Sequence, residues 1–469
     1  MRGGEASPDG TRIVFTPRSP REPPGGLPGE AREIWVMGSQ GDNEQKVLGL
    51  GENEWVSSVH WSPDGQRLAY FRTQRSPDRQ KSIETCDLNG VNQTVVVSEP
   101  DRWPRDFCWL ADGRIVYSRP ESPEPQSGQG LLSDDNLWQI GIDNHTGKPI
   151  GKPKRITHWA GSYLRGLSAS ADGKRLVLQK PTSQGQVYVG ELAAGGTHMS
   201  PPRRLTNDEA YDMPSAWMPD SKAVLFGSNR NGTWGIFKQG VDQDTAEPVV
   251  TGRQLGGVPR LSADGSWILF GGETSQGPGI MRTPVSGGVP QVVFEVLDWL
   301  NFGCASAPAS LCVIFRTSQD QKQLTVTAFD PLEGIGKVLR TVEQDPATDY
   351  GGRVLSPDGT TFAISRTGET ETHILLLSLT GGSDREITVK GWPNIKAIDW
   401  SPDGKALYCG SVTPQGRTLF YVDLKGNARV LWQSKGAGYP IWGVPSPGGR
   451  YLAILGYVTN SNVWMVEGF

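Results

Sequence analysis

The sequence predicts an all-β chain, a β-propeller of four-stranded antiparallel blades in about ten repeats, and three observations carry that expectation. A turn-forming tetrad recurs nine times, its third positions separated by 55, 48, 60, 48, 44, 94, 45 and 45 residues. Short alternating apolar runs follow each tetrad. Gly and Pro supply 60 and 35 of the 469 residues, which demands frequent turns and disfavours long helices.

The tetrads are Ser7 to Gly10, Ser62 to Gly65, Leu110 to Gly113, Ser170 to Gly173, Met218 to Ser221, Ser262 to Gly265, Ser356 to Gly359, Ser401 to Gly404 and Ser446 to Gly449. Pro presets φ for a tight turn, Asp bonds back to the local backbone, and Gly takes the left-handed position at a hairpin exit. Each tetrad is therefore a hairpin loop. The 94-residue gap spans two periods and hides a degenerate tenth copy around Ala307 to Cys312. Strands follow, as in Arg67 to Phe71, Arg175 to Leu178 and Trp267 to Phe270, and a second set recurs about 20 residues on, as in Val187 to Gly190, Leu419 to Val422 and Val463 to Val466. A weaker polar strand near Arg155 or Arg204, and an apolar strand such as Ile398 to Trp400 before the next tetrad, complete four strands per unit.

Ten units exceed the usual four to eight blades, so the chain is one large ring or two propellers. The expected division places irregular blades at residues 1–200, four repeats with a truncated N-terminal side, and regular blades at 201–469, six repeats, with one continuous ring as the other possibility. The C-terminal Val463 to Phe469 reads as the third strand of a last unit that lacks its fourth. Only six residues precede the first tetrad, so either the native product is expected to begin further upstream or the blade holding the two ends is expected to be incomplete.

Composition excludes several classes. Sixteen Trp, 13 Phe and 11 Tyr supply a core that disordered chains lack, and a net charge of −4 gives no footprint for nucleic acid. No run reaches the ~18 apolar residues of a membrane span, and the N-terminus has no apolar signal core.

At repeat level, over essentially the whole chain, these residues resemble the TolB-like propellers built from Pro-Asp variants of the WD-type repeat. Arg230 to Gly252, Cys304 to Pro331, Arg385 to Asp403 and Trp442 to Glu467 resemble the C-terminal propellers of bacterial membrane-anchored Ser/Thr kinases and winged-helix regulators. That resemblance implies an N-terminal signalling domain, one span, and a periplasmic or otherwise extracytoplasmic propeller acting as the sensor domain in signal transduction. Neither a kinase Gly-rich loop nor a winged helix nor a span occurs here, so kinase and DNA-binding activities are not expected of these residues.

Catalytic motifs are missing: there is no Gly-x-Ser-x-Gly elbow and no His-Glu-x-x-His, and the five His are scattered. No cofactor, no metal and no catalytic residue is expected. Asp134-Asp135 reads as part of a solvated insert, and the tetrad Asp residues serve the turns. Cys86 and Cys409 read as buried strand residues, whereas Cys304 and Cys312 could face each other and close a disulfide in an oxidising compartment.

The binding residues are expected in the connections from one unit's outermost strand to the next unit's innermost strand, which ring one mouth of a propeller. They are Trp55, Trp103, Arg105, Tyr163, Arg165, Tyr211, Asp212, Tyr350, Arg353, Trp392, Tyr439 and Trp442, aromatic anchors with interspersed charge. The competing reading makes them caps of blade interfaces. The expected function is a monomeric, non-catalytic module for a protein, peptide or glycan, with no nucleic acid and no membrane contact of its own. The alternative is a propeller enzyme, a polysaccharide lyase or hydrolase, using His and carboxylates at the channel mouth.

Overall fold

The computed structural model describes residues 2–17, 31–51, 53–74, 80–99, 102–121, 135–159, 163–208, 210–231, 233–251, 255–274, 277–296, 301–318, 320–346, 348–413, 416–435 and 441–469. Among them there is no α-helix, and the single helical turn is the 3-10 segment Ala194–Gly196. The rest is β-sheet: eight four-stranded antiparallel sheets and one six-stranded sheet. All nine tetrads join a sheet's innermost strand to its second strand, as the turn chemistry requires. The tenth connection, between Asn301–Cys304 and Cys312–Thr317, holds the degenerate copy.

We label the innermost strands and two long strands. β1 (Arg2–Ala6), β2 (Glu54–Trp61), β3 (Asp106–Trp109) and β4 (Arg165–Ala169) begin the first four sheets. β5 (Arg175–Ala193) is long. β6 (Asp212–Trp217), β7 (Leu255–Leu261), β8 (Asn301–Cys304), β9 (Tyr350–Leu355) and β10 (Ile395–Trp400) begin five more sheets, β11 (Gly443–Pro445) is the innermost strand at the other end of the six-stranded sheet that β4 begins, and β12 (Tyr451–Glu467) is the second long strand.

The chain divides into two compact units, Met1–Thr182 with Asn460–Phe469, and Ser183–Thr459. In the larger unit the innermost strands pack in a closed cycle: β6 on β7, β7 on β8, β8 on β9, β9 on β10, β10 on β11, and β11 back on β6. Six sheets around an axis form a β-propeller. The seam is tied by Trp217 Nε1 donating to Val444 O (2.8 Å), Trp442 Nε1 to Pro214 O (3.2 Å) and Gly448 N to Ser221 Oγ (3.0 Å), with Trp217 stacked on Tyr451. Between sheets lie apolar layers, such as Ile374, Ile398, Trp400, Cys409 and Phe420. In the smaller unit β1 packs on β2, β2 on β3 and β3 on β4. There Trp61 Nε1 donates to Glu5 O (3.0 Å), repeating the Trp217 bond from the same place before a tetrad.

One expectation is corrected here. The segments Arg175 to Leu178 and Val187 to Gly190, read as separate strands, are one strand, β5, and Val463 to Val466 is the far half of β12 rather than the third strand of the last sheet. β5 and β12 pair, with Arg175 bonded to Glu467 (2.7 Å) at one end and Leu192 N donating to Arg450 O (2.7 Å) at the other. Where the repeat demands a hairpin after the second strand, each instead continues as one strand. A two-stranded antiparallel ribbon satisfies its backbone as well by continuing as by turning back.

Candidate functional site

Antiparallel strands send the tetrads of each unit to one end of its sheets. The opposite end collects the hairpins between second and third strands and the connections from outermost to innermost strands. The tetrad end is self-satisfied. In Ser62 to Gly65, Ser62 Oγ donates to Asp64 Oδ1 (2.6 Å), Gln66 N donates to the same oxygen (3.1 Å), and Arg67 N donates to Ser62 Oγ (2.8 Å). Ser7, Ser170, Ser262, Ser356 and Ser401 repeat the Ser to Asp bond. Bonds from Ser7 and Thr11 hold the Asp9 carboxyl down to about 2. These carboxylates are consumed by the turns.

Six of the twelve expected binding residues lie in the ring among the described residues: Tyr211, Trp392 and Trp442 in connections at the opposite end, and Asp212, Tyr350 and Arg353 on the innermost strands themselves rather than in connections. Tyr211 is buried, its ring set edge-on to Trp234 (centroids 6.0 Å) and Tyr457 (5.9 Å). Asp212 is buried beside Arg230, whose Nη2 reaches both Asp212 (2.9 Å) and Asp208 (3.1 Å). Burial pushes the Asp212 carboxyl up, against the opposing pull of Ser228 and Arg230. Trp392 is half-buried and stacks on Phe420 at 4.4 Å. Tyr350 is half-buried, and its hydroxyl accepts from Asp345 N (3.3 Å). Trp442 is tied into the seam, and Lys396 on β10 binds Asp349. Tyr439 lies outside the described residues.

In the smaller unit Trp55 is buried beneath Arg32, with the guanidinium 5.9 Å from the ring centroid. Arg105 pairs with buried Asp135 (3.1 Å) and lies over the Tyr163 ring (4.7 Å). Asp135 also accepts from Leu164 N (3.0 Å), so it is an internal anchor at the start of Asp135–Ile142 and not part of a solvated insert. Trp103 is half-buried and Arg165 exposed.

The settings of three residues were not foreseen. Asp399, on β10, has its carboxyl pushed up to about 6 by burial, against the pull of Arg260. Arg260 lies on β7, three strands from β10 in either direction around the cycle, so the two charges act across the channel; Arg260 itself donates to Ser215 O. An acid set between Ile398 and Trp400 on an innermost strand was the available signal. The second is Arg353 on β9. Burial pushes its guanidinium pKa down, its Nε is sealed from water with no hydrogen-bond partner, and no carboxylate contributes to its electrostatics. The third is His60 on β2, whose Nδ1 lies 2.9 Å from Glu5 on β1, with Phe107 edge-on at 4.9 Å.

Cys304 and Cys312 face each other across neighbouring strands with their sulfurs at bonding distance. Cys86, Cys108 and Cys409 are free and buried, and burial pushes the thiols of Cys86 and Cys108 up to about 12. No group of three or more His, Cys, Asp or Glu capable of holding a metal ion occurs among the described residues.

No known protein family matches the chain, and no curated protein matches it in sequence. Solved structures do. A putative TolB from Agrobacterium tumefaciens is 19% identical, covering 59% of this chain and 99% of its own, with a TM-score of 0.46. TolB from Acinetobacter baumannii is 14% identical over 71% of this chain and 80% of its own, with a TM-score of 0.43. An oligogalacturonate lyase in complex with manganese is 16% identical over 61% of this chain and 76% of its own, with a TM-score of 0.36.

Proposed function

We propose that the chain is a non-catalytic recognition module and that its ring of six sheets receives a protein or peptide at the mouth opposite the tetrads. The observation that supports this reading is the set of half-exposed aromatic residues there, Tyr350, Trp392 and Trp442, with Trp392 held by its stack on Phe420 and Trp442 by its indole hydrogen bond to Pro214 O. Rigid aromatic anchors beside arginine lose little entropy on binding and desolvate a partner efficiently. The role proposed for such a module is extracytoplasmic sensing, and the facing Cys304 and Cys312 suit an oxidising compartment.

Selection of random peptides on the full chain tests the reading. Selected binders should lose at least ~10-fold affinity with Trp392→Ala or Trp442→Ala, and none with Trp464→Ala in the other unit; the magnitude is that of an interface anchor. Binders indifferent to both mouth substitutions overturn it.

The His60 and Glu5 pair favours a second reading, a lyase or hydrolase. Its glutamate stands at ion-pair distance from the imidazole, the kind of neighbour a general base uses. Incubation of the full chain with a panel of polysaccharides decides between the readings. Cleavage that His60→Ala abolishes would replace the module by an enzyme.

A further inference from the structure

Arginine carries a permanent charge and five donors in a rigid fork, and it does not escape burial by losing its proton. Folded chains therefore give a desolvated guanidinium a carboxylate or a set of carbonyls. The larger unit follows this rule elsewhere: Arg230 has two carboxylates, Arg340 has Asp384, Arg366 has Glu386, and Arg282 and Arg417 reach main-chain carbonyls. Arg353 is the exception. No hydrogen bond or ion pair engages it among the described residues, and its Nε is closed off from water.

Its surroundings explain why the chain provides no partner. Gly351 and Gly352 precede it on β9, and a Cβ on either would lie within 2.7 Å of the β10 backbone, at Ile395 O or Ile398 N. The strand is thus pressed against β10, and the group whose charge acts on the guanidinium is the Tyr350 phenol, which carries no negative charge at neutral pH. Of the acids on the elements packed around β9, Asp349 is taken by Lys396, and Asp399 acts with Arg260. Neighbouring β8 reads Asn301-Phe302-Gly303-Cys304 and carries no charge. Arg353 is half-buried and stands on an innermost strand of the ring.

We propose that Arg353 is a receptor for a carboxylate group of a ligand entering the channel of the six-sheet ring, held bidentately by the fork. A carboxylate matches the spacing of two parallel guanidinium donors and brings the missing charge. The site rests on the reading that this mouth binds a partner, and it names the chemistry the mouth selects.

Thermal unfolding of the full chain in citrate or acetate, against chloride and sulfate at matched ionic strength, tests the site. Citrate should raise Tm by several degrees over chloride, whereas sulfate should not. Arg353→Gln should abolish the citrate shift without lowering Tm in chloride, because it removes an uncompensated charge. Arg353→Lys, which keeps the charge without the fork, should lose most of the shift. An equal response of wild type and Arg353→Gln, no response of wild type, or an equal response to sulfate overturns the carboxylate site. None of these outcomes touches the aromatic set, which the peptide selection judges separately.

Discussion

The ring of six sheets and the row of four are built from one module with the same tetrads and the same tryptophan reaching back to the preceding innermost strand, yet they finish differently. In the ring β11 returns to β6, and the first half of β12 is buried, with Leu452, Ile454 and Leu455 at 1% exposure or less. The second half of that strand, in the smaller unit, leaves Val463, Trp464 and Met465 at 71%, 44% and 57% exposure. Its pairing partner β5 leaves Val177 at 38% there while Leu176 and Leu178 are fully buried. A repeat thus encodes a sheet with two apolar faces, and whether both are covered depends on where the series closes.

The sharpest way to break the comparison is at the seam. Trp217→Ala removes a buried indole, its stack on Tyr451 and its bond to β11, and should cost the ring about 3 to 5 kcal/mol. Hydrogen exchange resolved along the chain should show faster opening throughout Ser183 to Thr459 and little change from β1 to β4. Spread of the effect to both units alike would show that they unfold as one.

Reduction is next. Opening Cys304–Cys312 releases a short loop and should cost about 2 kcal/mol, felt in the ring alone, as denaturant midpoints with and without reductant would report.

The pH dependence should differ in sign. Asp399 has a raised carboxyl pKa, so its contribution is full below about pH 4 and is lost as pH rises through about 6. Asp9 is held down at about 2, so its contribution is present above about pH 4 and is lost as pH falls towards 2. Asp399→Asn should abolish the decline in ring stability between pH 4 and 6 and leave the acid limb unchanged. Denaturation followed from pH 3 to 8 checks it.

The smallest effect sharpens the contrast within one strand. Val463→Ala should cost less than ~0.5 kcal/mol, where Ile454→Ala costs about 2 to 5. A large loss at Val463 would mean that this face is covered in solution.

The tetrads were legible because their chemistry is local: Pro, Asp and Gly each satisfy a turn within four residues. The Ser to Asp bond that organises them is equally local. The course of β5 was not legible, because Arg175 to Leu178 and Val187 to Gly190 read as separate strands of the repeat, and whether a paired ribbon turns or continues depends on a partner strand almost 300 residues away. Arg353 lies on the innermost strand β9 rather than in a connection, whereas the positions of Tyr211 and Trp392 followed from the connection pattern. Their burial did not, since alternation says which residues share a face and not which aromatic is wedged between two sheets. Asp399 and the unpartnered Arg353 depend on strands from opposite or adjacent sheets, information that no short window of residues contains.

The division of the chain has one more consequence. The larger unit is one contiguous stretch of gene, Ser183 to Thr459, whereas the smaller is assembled from the residues before and after it. A genome can therefore exchange the ring as a single segment, but not the smaller unit.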